Sequence, residues 1–116
     1  LSSDAFGFER LDQVYTAVYR LSGGDVTAFL SHRADESSAA ELTEVYYGFL
    51  LENGGVPLPG IVDLPGSKVV DILGGVEVIF NRGPVFAGVH DAANGALAEE
   101  MALKLEHRLT EVVNGK

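Results

Sequence analysis

KVVDILGGVEVIFNRGPVFAGVHDA, residues 68–92, is the stretch whose reading decides the fold. β-Branched and aromatic side chains fill three runs in it, Lys68–Leu73, Val76–Phe80 and Val85–Val89, and such side chains suit a pleated surface. Gly74-Gly75 separates the first two runs and Asn81-Arg82-Gly83-Pro84 the last two. Both links are rich in turn-forming residues. Strands joined this closely form an antiparallel meander.

Toward the N-terminus, Val14–Leu21 alternates and carries β-formers, Ser22-Gly23-Gly24-Asp25 signals a turn, and Val26–Ser31 alternates again. This is a predicted β-hairpin. The period then changes. Leu42, Val45, Tyr46, Phe49 and Leu50 recur at helical spacing. Ser38-Ala39-Ala40-Glu41 has the spacing of a capping box, and Asn53-Gly54-Gly55 is a stop. Val56–Gly66 holds Pro57, Pro59 and Pro65 and reads as an extended loop. Toward the C-terminus a second helical stripe runs through Leu97, Met101, Leu105, Leu109 and Val112 up to Asn114-Gly115. The order β-β-α-β-β-β-α predicts one α+β domain over residues 1–116. Its expected form is a two-layer sandwich, one mainly antiparallel five-stranded sheet with two helices on one face.

The composition excludes several functions. The 116 residues are 47% apolar, enough for a real core. No apolar run approaches the roughly 20 residues needed to span a bilayer. The absence of cysteine removes disulfides, thiolate catalysis and cysteine-held metals. Seventeen acids against eight bases give a net charge of −9, which repels nucleic acid and anionic membranes. Between Arg33 and Lys68 there is no base, while Asp35, Glu36, Glu41, Glu44, Glu52 and Asp63 fall there. That run is a solvated face or, on a sharper reading, a docking face for a basic partner.

The phrases DAFGFERLDQVYTAVY, VTAFLSHRA, FLLENGG, VVDILGGVEVIF and FAGVHDA resemble a bacterial family of exported proteins catalogued only as a domain of unknown function. Its members carry two related halves, and this chain is similar to the second. The resemblance covers nearly the whole chain. It implies a periplasmic or other cell-envelope location and a sister domain N-terminal to this one, in keeping with a start at Leu1 rather than Met. It implies no activity and no ligand.

Candidate chemistry is sparse. His32 and His90 each follow a strand and precede a helical segment. On adjacent parallel strands they would meet on one rim of the sheet, with Asp35 and Asp91 nearby, as a divalent-metal or acid–base constellation. Neither lies in a recognised ligand spacing, and the plainer reading is two loop histidines. His107, between Glu106 and Arg108, reads as a surface residue. No serine sits in a G-x-S-x-G elbow. The glycine pairs link strands, whereas a phosphate cradle needs a strand-to-helix turn. Glu99 and Glu100 point about 100° apart on a helix and cannot share a reacting centre. Tyr15 and Tyr19 share a strand face. If no helix covers that face, it is a tyrosine and apolar binding surface. The expectation is therefore a non-enzymatic binding or assembly domain of the cell envelope. It would take no cofactor, metal or nucleic acid and would meet a protein partner through an open sheet face or edge. The alternative is a small-ligand or metal-binding domain using His32 and His90.

Overall fold

The computed structural model describes residues 14–21 and 23–114, those from 111 onward only by their place in a helix. Ser22, the Val112 side chain, the stop at Gly115 and most of the opening phrase lie outside the described residues. The elements are β1 (Tyr15–Leu21), β2 (Gly24–His32), α1 (Glu36–Glu52), β3 (Val56–Leu58), β4 (Lys68–Ile72), β5 (Gly75–Arg82), β6 (Val85–Ala92) and α2 (Gly95–Asn114). The strands form one antiparallel sheet in the order β1-β2-β6-β5-β4-β3. The α+β class and the β4-β5-β6 meander agree with the sequence reading.

Three details differ. The sheet has six strands rather than five, because Val56–Leu58 pairs with β4 (Val56 opposite Asp71) instead of looping past it. Pro57 is tolerated there because an edge strand has one side with no ladder to complete. Next, α1 begins earlier than the Ser38 box. Asp35 is its N-cap, with extended backbone and a carboxylate accepting the Ser38 N–H at 2.7 Å. That bond holds the Asp35 pKa below the usual carboxylate value. At the other end the Gly55 N–H returns to Leu50 O, and Gly54 takes the left-handed φ of 98° that glycine accepts without strain.

The third difference concerns the layers: the two helices lie on opposite faces, not on one. Val78 and Phe80 of β5, with Val85, Ala87 and Val89 of β6, pack with Leu97, Met101 and Leu105 of α2. Ile79 of β5 and Phe86 of β6, with Phe29 and Val70, pack with Leu42, Tyr46 and Leu50 of α1. Successive side chains on a strand point to opposite faces, so these are two separate cores. The physical reason is visible in the runs VEVIF and VFAGV. Glu77 apart, they are apolar at every position, and burying both faces requires cover on both sides.

The α1 core is aromatic. Phe29 lies 5.6 Å from Phe86, Tyr46 meets Phe86 edge-on at 5.9 Å, and Phe49 stacks on Tyr46 at 5.9 Å. Each fully buried large side chain contributes about 1.5–3 kcal/mol. On the other face an ion pair between Arg82 and Glu106 ties α2 to the β5–β6 hairpin, and Thr110 Oγ1 donates to the same carboxylate at 2.9 Å. The acids between Arg33 and Lys68 are all exposed. Lys68 turns back to Glu44 at 3.4 Å and sits over the Tyr47 ring.

Candidate functional site

His32 and His90 do not meet. Their strands β2 and β6 are neighbours, as the constellation required, but they run antiparallel. His90 stands opposite Thr27 and His32 opposite Val85. The rings are thus separated by the rise from Thr27 to His32, about 17 Å at a strand's spacing. They also project from opposite faces, since Val89 belongs to the α2 core while Ser31 and His90 alternate away from it. Asp35 is spent on the α1 cap. The shared site proposed for His32 and His90 is thereby overturned. No group of three metal-ligating side chains occurs among the described residues.

His90 has a different partner. Along the β5–β6 ladder Val76 pairs with Ala92 and Val78 with Val89, so the single residue Glu77 stands against both His90 and Asp91. This is a β-bulge, a device that re-aims side chains. Asp91 takes the left-handed φ of 55° that the extra residue requires, and its N–H donates to Glu77 Oε2 at 2.9 Å. The same oxygen lies 2.6 Å from His90 Nδ1. Glu77 is 2% exposed, whereas a third of the His90 side chain is open. A buried carboxylate thus lies within ion-pair distance of one ring nitrogen, without the geometry of a hydrogen bond, and Nε2 stands on the ring's far edge.

Tyr46 completes the cluster from α1. Burial pushes its phenol far above the usual tyrosine pKa, and the charge and side-chain contact of Glu77 push it further. The phenol keeps its proton at all ordinary pH. Tyr46, Glu77, His90 and Asp91 face a cavity of about 340 Å³, together with Asn53 from the end of α1 and apolar groups from α1 and the β4–β5 turn. Leu73 on its rim has a left-handed φ of 54°. Both positive-φ residues other than glycine, among those described, therefore border this one cavity. At Leu73, 92% exposed, it is set by the β4–β5 turn, in which Gly74 also has a positive φ, and at Asp91 by the bulge.

The sequence reading missed Glu77, although a signal was present. It is the one acid inside the apolar run Val76–Phe80, and a carboxylate there must be buried with partners. Tyr46 was assigned to the core stripe, and it does pack there. Its phenol oxygen, expected to reach the surface, is instead buried beside Glu77.

The second candidate is the β1 edge. Six of its seven residues are exposed, with Tyr15, Ala17 and Tyr19 on one face and Thr16, Val18 and Arg20 on the other. Val18 is 68% exposed. Arg20 is held by Asp25 across the hairpin at 3.2 Å. Between this strand and α2 runs a groove of about 620 Å³, floored by Leu21, Leu30, Met101 and Leu105, with Lys104 and Arg108 on its rim. The helix-free face expected for Tyr15 and Tyr19 does not occur, since they lie on the face that α2 covers farther in, and they are exposed because they stand at the sheet's edge.

No helix among the described residues is long and apolar enough to cross a membrane. Compared with family models, curated proteins and solved structures, the chain matches none.

Proposed function

We propose that this chain is a non-enzymatic binding and assembly domain that takes a strand from a protein partner along its β1 edge. The observation that carries the reading is the contrast between the two edges of the sheet. The β3 edge is three residues long and carries Pro57, a usual defence against strand addition. The β1 edge is seven residues long with no proline and no bulge, and its only charge is already paired. Among the described residues nothing pairs with this edge, and an edge of that length is a template for β-augmentation, in which main-chain bonds supply affinity and side-chain pockets supply specificity. The adjoining groove has an apolar floor and a basic rim. The complementary partner strand is therefore apolar on alternate residues and flanked by acids. The family resemblance adds a sister domain as the source of that strand and the cell envelope as its setting.

Site-specific photocrosslinking tests this. A benzophenone side chain at position 18 or 19 is expected to give one stoichiometric adduct with a partner in the native cells. The same probe at Val62, a loop position 91% exposed, should give none. Val18→Lys with Tyr19→Lys should weaken the association at least about tenfold, a loss of roughly 1.4 kcal/mol, while leaving the fold intact. Equal crosslinking at positions 18 and 62, or retention of the partner by the double variant, would overturn the reading.

A further inference from the structure

The cavity bordered by Glu77 lies on the α1 face, away from the groove beside β1, and is independent of the assembly reading. We propose that it is a binding site for a small organic cation, a primary ammonium group carried on an apolar aliphatic or aromatic body.

The inference follows from a count of donors and acceptors. Side-chain and backbone donors at the cavity are turned inward. Asn53 Nδ2 donates to Phe49 O at 2.8 Å, the Asp91 N–H donates to Glu77 Oε2, and His90 Nδ1 faces the same oxygen. No lysine or arginine lines the cavity. Acceptors remain. Glu77 Oε1 is buried without a hydrogen bond of normal geometry among the described residues, although the Tyr46 phenol reaches the Glu77 side chain, and the exposed Asp91 carboxylate borders the same cavity. The C-terminus of α1 brings the negative end of the helix dipole, with no basic residue in its last turn. An anion entering here meets two carboxylates and that dipole. Glu77, His90 and Asp91 border the cavity, but no group of three such side chains among the described residues is placed to hold a metal ion.

A cation meets complementary surroundings. Glu77 is itself 2% exposed, so water screens its charge less than that of a surface carboxylate. Phe49 is partly exposed at the cavity and is backed by the buried Tyr46 ring stacked 16° from parallel, so a cation can lie against one aromatic ring. Leu50, Ile72 and Leu73 supply apolar contact for the body of the ligand. The volume of about 340 Å³ accepts a molecule with one ring or a short alkyl chain. The β-bulge explains the construction. It sets Asp91 beside Glu77 while using the Asp91 N–H to orient the Glu77 carboxylate.

The test uses phenethylammonium as the probe and 3-phenylpropionate, its counterpart with a carboxylate, as control. Both are titrated into the full chain by calorimetry and by amide NMR. Phenethylammonium is expected to bind saturably at one site and to move the amide resonances of Leu73 and Asp91. The carboxylate should not. Glu77→Gln should weaken binding at least about tenfold, as loss of a charge-assisted contact does. Asp91→Asn keeps a residue that tolerates the left-handed backbone, so it should fold even if Glu77→Gln does not, and it should weaken binding about fivefold. Binding of the carboxylate as tight as that of the amine would overturn the proposal. So would unchanged affinity in Asp91→Asn, or no saturable shift with phenethylammonium or butylammonium up to about 10 mM, a concentration beyond millimolar affinity.

Discussion

Replacing Glu77 by Ala, and separately by Gln, divides what its carboxylate does into an acceptor and a charge. The alanine variant removes the oxygen that receives the Asp91 N–H at 2.9 Å and faces His90 Nδ1 at 2.6 Å. Breaking a buried pair from one side costs about 3–5 kcal/mol, much of it from the group left behind. His90 is one-third open and can turn to water, which places the expected loss at the lower end, about 3 kcal/mol. Glutamine fills the same volume and keeps one oxygen for the Asp91 N–H. It forfeits only the charge-assisted excess of the His90 contact, about 1 kcal/mol, and sheds some desolvation cost. Urea unfolding with linear extrapolation reads both. With a slope of about 1.5 kcal/mol/M, the alanine midpoint falls by about 2 M and the glutamine midpoint by well under 1 M. Nitrogen-15 shifts of His90 supply a second reading. They should move when Glu77 becomes Gln, because the carboxylate lies 2.6 Å from Nδ1. An alanine variant within about 1 kcal/mol of wild type would refute the claim that this carboxylate organises the bulge.

Three further outcomes follow from the same geometry. Gly88→Ala would place a Cβ within contact distance of the Val78 carbonyl oxygen and 2.6 Å from the Phe29 ring. The carbonyl belongs to a central strand and cannot yield, so chemical denaturation should show a loss of about 2 kcal/mol after the gain from removing a glycine. Asp91→Gly should be neutral or stabilising by up to about 1 kcal/mol, because glycine accepts φ 55° without strain; a clear destabilisation would show that its side chain matters to the fold. For Asp35 the folded pKa lies below its unfolded value, so its contribution is complete above the unfolded value and is lost as pH falls through the folded one. Asp35→Ala should lower the thermal midpoint at neutral pH, and the difference from wild type should shrink as pH drops below about 4.

Much of the fold was legible because local chemistry dictates it. Glycine and proline punctuate the meander, and helical spacing marks both helices. Val56–Leu58 was not legible as a strand, because a proline-bearing edge differs from a loop only in having a neighbour to pair with. The candidate site was half legible. His90 and Asp91 stood out by residue type, whereas their partner depended on a register shift in the β5–β6 ladder. A shift of one residue on one strand leaves no mark in composition or period.

The sequence by itself determined an acidic, cysteine-free α+β domain with a meander at its centre, since charge count, turn residues and periodicity act within a few residues of each other. Tertiary structure alone decided which faces the helices cover, that β2 and β6 run antiparallel and part His32 from His90, and that a bulge brings Glu77 to His90 beneath Tyr46. Those outcomes depend on contacts between residues distant in the chain. Pleat parity and the need to bury both faces of β5 and β6 choose among arrangements that local propensity leaves equal.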